Sequence, residues 1–356
     1  MKKSWVLLIG ALLLSLMLAA CGGNSEEPAA EGSDGAEGDN AGGGDAELTI
    51  TFSHNQPVES PEHVGAEAFK KYVEENSDGK VAVEVYPASQ LGSLREQVEG
   101  TQMGEIDITM QPTAVVSPFV DDIKVVDLPY LWPVETEKMY EVLDSEVGDE
   151  ILATLNQGGF KGLGFWPGGY KLFTTKDKEI HAPEDFKGVT MRTMESPTLI
   201  AQYEAWGGNA VPVPYAEVYN SLQQGVVDGQ ENPLQTVFLN NYHEVQNNII
   251  ESHHGTMTYV LMANQGWFDG LSEEQQKLIQ EAEVEGVNAA RESLAETEDD
   301  YRQQIIDSGV NYYEFTDEEI EAFKEVSLPI HESEYDKPEQ QELLQKIYDK
   351  IDEVTQ

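Results

Sequence analysis

The sequence predicts an α/β protein that is built from two separate blocks and one long helix. Strand-like and helix-like patterns alternate over residues 48–110, and they alternate again over residues 182–229. Helical periodicity then runs from Ser272 to about Ile306. Strands that alternate with helices along a chain form a mainly parallel sheet covered by helices. The 356 residues are enough for two domains of ordinary size.

The first block begins with a strand and a helix. Leu48, Ile50 and Phe52 alternate with polar residues, which is the pattern of a strand with one buried face. Ser60 followed by Pro61 is typical of the first turn of a helix. The apolar stripe of this helix is predicted to contain Val64, Ala68, Tyr72, Phe69 and Val73.

The same alternation continues through the rest of both blocks. The first block goes on with a strand over 80–86, a helix from Ser93 to Met103 and a strand over 105–110. We predict the second block to be a separate domain, and no close sequence repeat connects it to the first. Its predicted elements are a helix-like segment over 182–188, a strand over 189–192, a helix over 197–206, a strand over 210–214, a helix over 216–225 and a strand over 226–229.

The C-terminal part of the chain is predicted to be helical. Ser272 and Gln275 form a capping box, and the helix that follows is unusually long for a globular protein. We therefore expect it to lie along both domains. Thr316 and Glu319 are predicted to cap a further helix, and a last helix is predicted over 339–354.

The N-terminal residues indicate export. Lys2 and Lys3 precede an apolar run, which is typical of a secretory signal peptide and too short for a membrane span. The segment 18–21 resembles a bacterial lipobox, which implies cleavage before Cys21 and a diacylglyceryl group on its sulfur. The alternative is a freely secreted protein with an unmodified thiol. We expect a signal peptide over 1–20 and an acidic, glycine-rich tether over 21–46.

The composition excludes several classes of function. The chain has 66 acidic and 21 basic residues, so its net charge of −45 argues against nucleic-acid binding and against electrostatic docking on an anionic membrane. Its one cysteine excludes an intramolecular disulfide and a multi-cysteine metal cluster. The seven histidines lack the spacing of a zinc enzyme. We therefore expect no metal and no cofactor.

Arg192 is the candidate binding residue that the sequence itself indicates. Arg95, Arg291 and Arg302 lie on predicted helices close to acidic residues, whereas Arg192 ends a predicted strand and has no carboxylate in helical register. Ligands of open α/β folds bind beyond the carboxyl ends of strands, and a guanidinium offers a planar fork to a carboxylate. The alternative is that Arg192 pairs with a distant acidic residue inside the fold.

Several motifs resemble the solute-binding proteins of tripartite ATP-independent periplasmic (TRAP) transporters, the DctP-like family. Together they span nearly all of residues 47–310, and the segment with QGVVDGQENP is highly specific. The matching segments are YPASQLGSLRE (86–96), GEIDIT (104–109), DLPYLW (127–132), FKGVTMR (186–192), GGNAVPVPYAEVYNSLQQGVVDGQENP (207–233), YHEVQ (242–246) and FDGLSEEQQKLI (268–279).

The resemblance implies a two-lobed clamshell like that of periplasmic binding proteins. Each lobe is then a mixed sheet flanked by helices, and the long helix crosses both lobes. We expect lobe I to comprise 47–168 and 258–297, and lobe II to comprise 169–257 and 298–356.

The resemblance also implies roles for individual residues. Arg192 is expected to pair with the carboxylate of the ligand, and Asn232 in the QENP turn to bond the same carboxylate. Lys171 stands where many members carry a second arginine, and a lysine offers no planar fork, so its partner on the ligand stays open. Asn55 is expected to make a polar contact, and the ring of Tyr215 to form a wall of the pocket.

Three further residues are candidates for ligand contact, but for each of them a purely structural role is an equal or stronger alternative. Trp166 is expected at the junction of the lobes, where it either closes over the ligand or plugs the hinge. His54 and Thr113 either line the cleft from lobe I or are structural loop residues.

The function that these expectations support is capture without catalysis. The protein is expected to be lipid-anchored on the outer face of the cell membrane, to bind a small organic acid and to deliver it to the small and large membrane subunits of a TRAP permease. No nucleic acid is expected as a partner, and the membrane is contacted only through the lipid. The alternatives are the ligand-binding lobe of a sensor for a signalling kinase, and an extracellular enzyme that acts on carboxylated sugars through Glu231 and Asp228.

Overall fold

The computed structural model describes residues 46–356. The predicted signal peptide (1–20), the predicted lipidation site Cys21 and all but one residue of the predicted tether lie outside the described residues. The described chain is a mixed α/β structure, as expected. None of its helices is both long and apolar enough to span a membrane.

The strands and helices alternate through most of the described chain. The strands are β1 Leu48–His54, β2 Val81–Tyr86, β3 Ile108–Pro112, β4 Phe160–Thr175, β5 Thr190–Thr193, β6 Asn209–Pro212, β7 Gly229–Pro233, β8 Asn248–Glu251, β9 Thr256–Asn264 and β10 Asn311–Glu314. The α-helices are α1 Pro61–Asn76, α2 Leu94–Met103, α3 Thr113–Val116, α4 Thr136–Leu143, α5 Glu146–Ala153, α6 Pro197–Ala205, α7 Val218–Gln224, α8 Leu234–Leu239, α9 Gln265–Asp269, α10 Glu273–Asp307, α11 Asp317–Glu334 and α12 Pro338–Thr355.

The strands form two connected sheets that share β4. The main strand order is β2-β1-β3-β9-β4-β7-β5-β6, and β8 and β10 extend from β4 beside this path. The pairs β1–β2, β1–β3, β5–β6 and β5–β7 are parallel, whereas β4 and β9 run antiparallel to their neighbours. The pair β8–β10 is also parallel, so five of the nine strand pairs in the described chain are parallel and four are antiparallel, and the sheets are mixed.

The long strand β4 connects the two halves of the molecule. Residues 160–170 pair with β9, and residues 171–175 pair with β7 and β8. The register with β9 shifts between Pro167 and Tyr170, where Gly169 has a φ of +88° that favours glycine. This irregularity allows one strand to enter two sheets. The predicted lobe boundary at 168/169 lies at this irregularity of β4. The residue ranges of the two lobes remain a prediction.

Helix α10 lies along both halves, as the capping box and the periodicity predict. Its 35 residues extend for about 52 Å. Ile279, Ala282, Val287 and Ala290 pack into the core of the first half, and Ile305 packs into a core of the second half. The helix therefore fixes the distance between the two sheets along one side.

The last helix, α12, packs against the first half of the molecule, whereas the prediction places it in the second lobe. The prediction places 298–356 in lobe II, but Leu343, Leu344 and Ile347 of α12 belong to the core of the first half. Lys346 of α12 also pairs with Glu150 of α5 at 2.7 Å. After α11 the chain thus returns to the first half.

Some predicted elements are displaced. Val64 is exposed, and the buried face of α1 is formed by Gly65, Ala66, Phe69 and Val73. The third strand starts at Ile108 because the side chain of Asp107 accepts a hydrogen bond from the backbone N–H of Thr51 at 2.8 Å. The segment 182–188 contains only a 3₁₀ turn, Pro183–Phe186, and the strand predicted over 226–229 begins instead at Gly229.

Candidate functional site

Arg192 lies near the carboxyl end of β5 and is almost completely buried. Only 2% of its surface is exposed, and its Nε donates a hydrogen bond to the carbonyl oxygen of Val213 at 3.0 Å. No carboxylate in the described part of the chain forms an ion pair with Arg192. Burial lowers the pKa of this guanidinium. The alternative of an internal acidic partner is therefore not observed among residues 46–356.

The other arginines behave differently. Arg95 pairs with Glu99 at 2.9 Å, and Arg291 pairs with Asp144 at 2.6 Å. Arg302 binds Glu251 at 2.8 Å. Each of these three guanidinium groups thus has a carboxylate partner, so Arg192 stands apart as the sequence predicts.

A cavity of about 110 Å³ between the two halves contains the Arg192 side chain. In the first half, the cavity is lined by residues at the start of α2 and by one residue of α3. In the second half, it is lined by residues at the ends of β5 and β6. The lining residues are Ser93, Leu94, Arg95, Val115, Arg192, Met194, Glu195, Val213, Pro214 and Tyr215. Arg192 and Tyr215, two of the predicted site residues, are thus brought together.

Tyr215 is held in place by its hydroxyl. Asn240 donates a hydrogen bond from Nδ2 to the Tyr215 oxygen at 2.9 Å. Burial raises the pKa of Tyr215, so the phenol stays neutral at any physiological pH. Its ring is therefore a fixed, uncharged surface beside Arg192.

Asn232 lies on β7, on the same face of the sheet as Arg192. Arg192 is paired with Gln230 across β5 and β7, and residues two apart on a strand share a face. The amide of Asn232 donates a hydrogen bond to the side-chain oxygen of Gln230, and Gln230 donates to Thr174 Oγ1 at 3.1 Å. This chain of amides orients Asn232. Sequence reasoning missed Gln230, although strand alternation in QENP would have indicated it.

Lys171 lies on the opposite face of the same sheet. Its Nζ donates to Glu231 Oε1 at 2.7 Å, and Glu231 points away from Gln230 and Asn232 because successive side chains alternate. Lys171 also lines a different cavity, together with Tyr170, Leu172, Glu251, His253 and Arg302. The structure therefore does not bring Lys171 together with Arg192, and its ammonium group is already occupied.

Glu231 accepts four hydrogen bonds in this buried network. Besides Lys171, the donors are Tyr203 at 2.7 Å, His254 at 2.9 Å and Gln202 at 3.0 Å. Burial alone would raise the pKa of Glu231, but the charge of Lys171 and the His254 contact hold this pKa well below its ordinary value. Glu231 is thus a fully bonded carboxylate, which is unsuited to acid–base catalysis.

The remaining predicted residues are buried and do not line the cavity at Arg192. Trp166 donates from Nε1 to Glu283 at 3.1 Å and packs between α1 and α10, so the hinge-plug alternative describes it better than a ligand contact. His54 contacts His63 at 3.1 Å, and burial lowers the pKa of His54 to about 3. Thr113 donates to Asp127 at 3.1 Å. Asn55 is buried with an unpartnered Oδ1, which leaves a free acceptor for a polar contact.

Two polar contacts between the halves were not predicted. Arg95 of α2 pairs with Glu195 beyond β5 at 3.2 Å. Glu62 of α1 accepts a hydrogen bond from Gln235 of α8 at 2.5 Å, and Glu62 is completely buried. The partners of each contact are 100 and 173 residues apart, so no local sequence signal could have indicated them.

One group of side chains has the ligand types of a metal site. Ligand atoms of Glu251, His253 and Glu314 lie within 4.8 Å of one another. However, Glu251 is bound by Arg302 and Tyr312, and His253 contacts Glu314 at 2.8 Å. Because these groups already satisfy one another, we assign no metal to them.

Known proteins with similar sequences and structures match most of the chain. The C4-dicarboxylate-binding periplasmic protein DctP of Rhodobacter capsulatus is 34% identical over 80% of this chain and 86% of its own length. The ectoine-binding periplasmic protein TeaA of Halomonas elongata is 33% identical over 79% of this chain and 83% of its own length. A TRAP periplasmic solute-binding protein from Desulfovibrio salexigens with bound orotic acid has a TM-score of 0.83 and 31% identity, covering 86% of this chain and 99% of its own.

The family model for bacterial extracellular solute-binding protein family 7, DctP, matches residues 52–338. This range contains both sheets except the first four residues of β1, the long helix and all the residues described around Arg192. Together with the structural similarity, it confirms the predicted fold, a two-lobed mixed α/β structure crossed by a long helix. The chain belongs to the DctP family of solute-binding proteins of TRAP transporters.

Proposed function

We propose that the protein captures a small organic acid outside the cytoplasm by its carboxylate and delivers it to the membrane permease of a TRAP transporter. The observation that carries this proposal is the buried Arg192 guanidinium, which has no acidic partner in the described chain and faces a cavity between the two lobes. C4-dicarboxylates, ectoine and orotic acid, the ligands named for the similar proteins, all carry a carboxylate.

Arg192 supplies the charge and the planar donor fork in this proposal. Asn232 adds an amide on the same face, and Tyr215 forms a wall. Closure of the lobes excludes water, and the attraction between guanidinium and carboxylate grows as the local dielectric constant falls. Asn55 offers its free Oδ1 to a donor on the ligand, such as a hydroxyl group.

The location and the partners are part of the same proposal. In this proposal a lipid on Cys21, the last residue of the lipobox-like segment 18–21, anchors the protein to the outer face of the membrane, and the tether lets the clamshell reach the small and large permease subunits. If Cys21 carries the lipid, a Cys21→Ser variant moves from the detergent phase to the aqueous phase in a phase-separation experiment. Retention of this variant in the detergent phase would refute the anchor.

Replacement of Arg192 tests the capture role. In Arg192→Ala, the carboxylate loses its charged partner, and we expect affinity for the bound acid to fall by about two orders of magnitude or more. Isothermal titration calorimetry measures this loss after a thermal-shift screen has identified the acid. Arg192→Lys keeps the charge without the fork and should retain part of the affinity.

Controls separate the binding role from folding and from catalysis. Arg291→Ala removes an arginine that does not line the cavity at Arg192 and should leave affinity unchanged, and circular dichroism should show an intact fold for all three variants. Unchanged affinity of Arg192→Ala would refute the role of Arg192. Nuclear magnetic resonance of the acid after long incubation with the protein checks for turnover, which would contradict capture without catalysis.

A further inference from the structure

The cavity at Arg192 contains one cation that the protein itself does not compensate. Among the residues described around it, Arg95 and Arg192 carry positive charge. Arg95 is bound by Glu99 at 2.9 Å and by Glu195 at 3.2 Å, whereas no described carboxylate pairs with Arg192. The site therefore offers a net attraction to a single negative charge.

The walls around this cation are mostly apolar. A hydrocarbon body placed there gains from the removal of apolar surface from water, whereas a buried polar or charged group without a partner is destabilised. The apolar lining residues are Leu94, Val115, Met194, Val213 and Pro214.

Among the described residues that line this cavity, a second carboxylate on the ligand finds no free cation. Lys171, the residue expected to serve the far end of the ligand, lies on the other face of the sheet with its ammonium group on Glu231 at 2.7 Å. Arg95 could pair with a second carboxylate only by giving up its ion pair with Glu195. Glu195 lines the same cavity as Arg192. The Glu195 carboxylate also repels a second negative charge at this place.

We propose that this site selects compact monocarboxylates with an apolar body over C4-dicarboxylates, and that Glu195 determines this selection. The proposal rests on the proposed carboxylate capture and adds the class of acid. Glu195 acts by occupying Arg95 and by repelling a second carboxylate, while Arg192 holds the first. The cavity of about 110 Å³ suits branched acids of four to six carbons.

Calorimetric titration of the full-length mature protein with two sets of acids tests the selection. The monocarboxylates are isobutyrate, isovalerate and 4-methylvalerate, and the dicarboxylates are succinate and malate. We expect at least one monocarboxylate to bind about tenfold or more tightly than either dicarboxylate, because the second carboxylate is left without a partner beside apolar walls.

Glu195→Gln isolates the role of Glu195. It keeps the size of the side chain, removes the repulsion and releases Arg95, so succinate should bind about three- to tenfold more tightly while the best monocarboxylate changes by less than about twofold. Glu204→Gln, which changes an exposed glutamate of α6 outside this cavity, is the matched control and should alter neither affinity.

The outcomes distinguish this inference from the proposed function. If succinate binds as tightly as the monocarboxylates, and Arg192→Ala abolishes both, the selection is refuted while carboxylate capture stands. If Glu195→Gln leaves succinate affinity unchanged, Glu195 does not determine the selection. If no acid of either set binds, the selection is overturned, and capture through Arg192 is then judged by the wider thermal-shift screen.

Discussion

Lys171 and Arg192 are buried cations on β4 and β5, the two strands that flank β7, and they have different roles. Lys171 and Glu231 are 1% and 2% exposed, so each charge needs the other to remain buried. Arg192 is buried to a similar degree but has only a backbone acceptor. The Lys171–Glu231 pair thus belongs to the folded structure, and Arg192 is left for a ligand.

Removal of the Lys171 charge should destabilise the fold. In Lys171→Met the Glu231 carboxylate stays buried without its cation, and we expect the free energy of unfolding to fall by about 3–5 kcal/mol. Urea denaturation measures this change. Lys346→Met, which breaks the exposed pair with Glu150, is the control and should lose less than about 1 kcal/mol. A Lys171→Met protein as stable as the wild type would contradict the structural role.

The residue scale also shows what the sequence could reveal. Arg192 was predictable because it ends a strand and has no acidic residue at helical spacing, which are both local features. The pairing of Lys171 with Glu231 could not be predicted, because 60 residues separate them. The antiparallel pairing of β4 with β7 brings them together. A candidate residue can be found locally, but its face of the sheet depends on the register of distant strands.

The helices were easier to predict than the strands. The capping boxes at Ser272 and Thr316 are complete in the structure, because a cap depends on residues only three positions apart. The strands β4 and β9 were not predicted. β4 contains four glycines and a proline, which are unfavourable in a strand, and it is stabilised by pairing with β7, β8 and β9.

The close crossing of α1 and α10 depends on two glycines. A Cβ atom at Gly65 would lie 2.6 Å from the carbonyl oxygen of Gly286 and 2.6 Å from the Trp166 ring. Such distances force the helices apart. Trp166 fills the space beside this crossing, which explains why it is absent from the cavity at Arg192.

Gly65→Ala should therefore destabilise the protein although alanine is the better helix former. We expect a net loss of about 1–3 kcal/mol in the free energy of unfolding, since overpacking against backbone outweighs a propensity gain of about 1 kcal/mol. Thermal and urea denaturation report the change. Val64→Ala, at the neighbouring exposed position, should stay within about 0.5 kcal/mol of the wild type. Equal stability of Gly65→Ala and Val64→Ala would refute the close crossing.

Across the whole molecule, Glu62 and Gln235 connect the two lobes next to the bend of β4. Gln235 donates both to Glu62 at 2.5 Å and to the carbonyl oxygen of Gly168 at 3.2 Å. Burial raises the pKa of Glu62 to about 7 from an ordinary value of 4.5. We expect opening of the clamshell to separate α1 from α8 and to hydrate Glu62, which returns its pKa to the ordinary range.

This coupling gives closure a pH dependence with a definite sign. Between pH 4.5 and 7 the closed form binds a proton on Glu62 that the open form lacks, so a rise in pH within this window disfavours closure. Above about pH 7 the Glu62 carboxyl is ionised in both forms, and the effect levels off. Because the ligand is held by the closed form, its affinity should follow the same curve.

Calorimetry at pH 5.5 and pH 8 should therefore show about tenfold weaker binding of the captured acid at the higher pH in the wild type. Glu62→Gln keeps the contact with Gln235 in uncharged form and should remove most of this difference. Glu283→Gln is the matched control: burial also raises the pKa of Glu283 to about 7, but its partner Trp166 lies in the same lobe, so opening leaves the pair intact. The wild-type pH dependence should therefore persist in Glu283→Gln. Equal pH dependence in the wild type and in Glu62→Gln would show that closure does not involve the Glu62 proton.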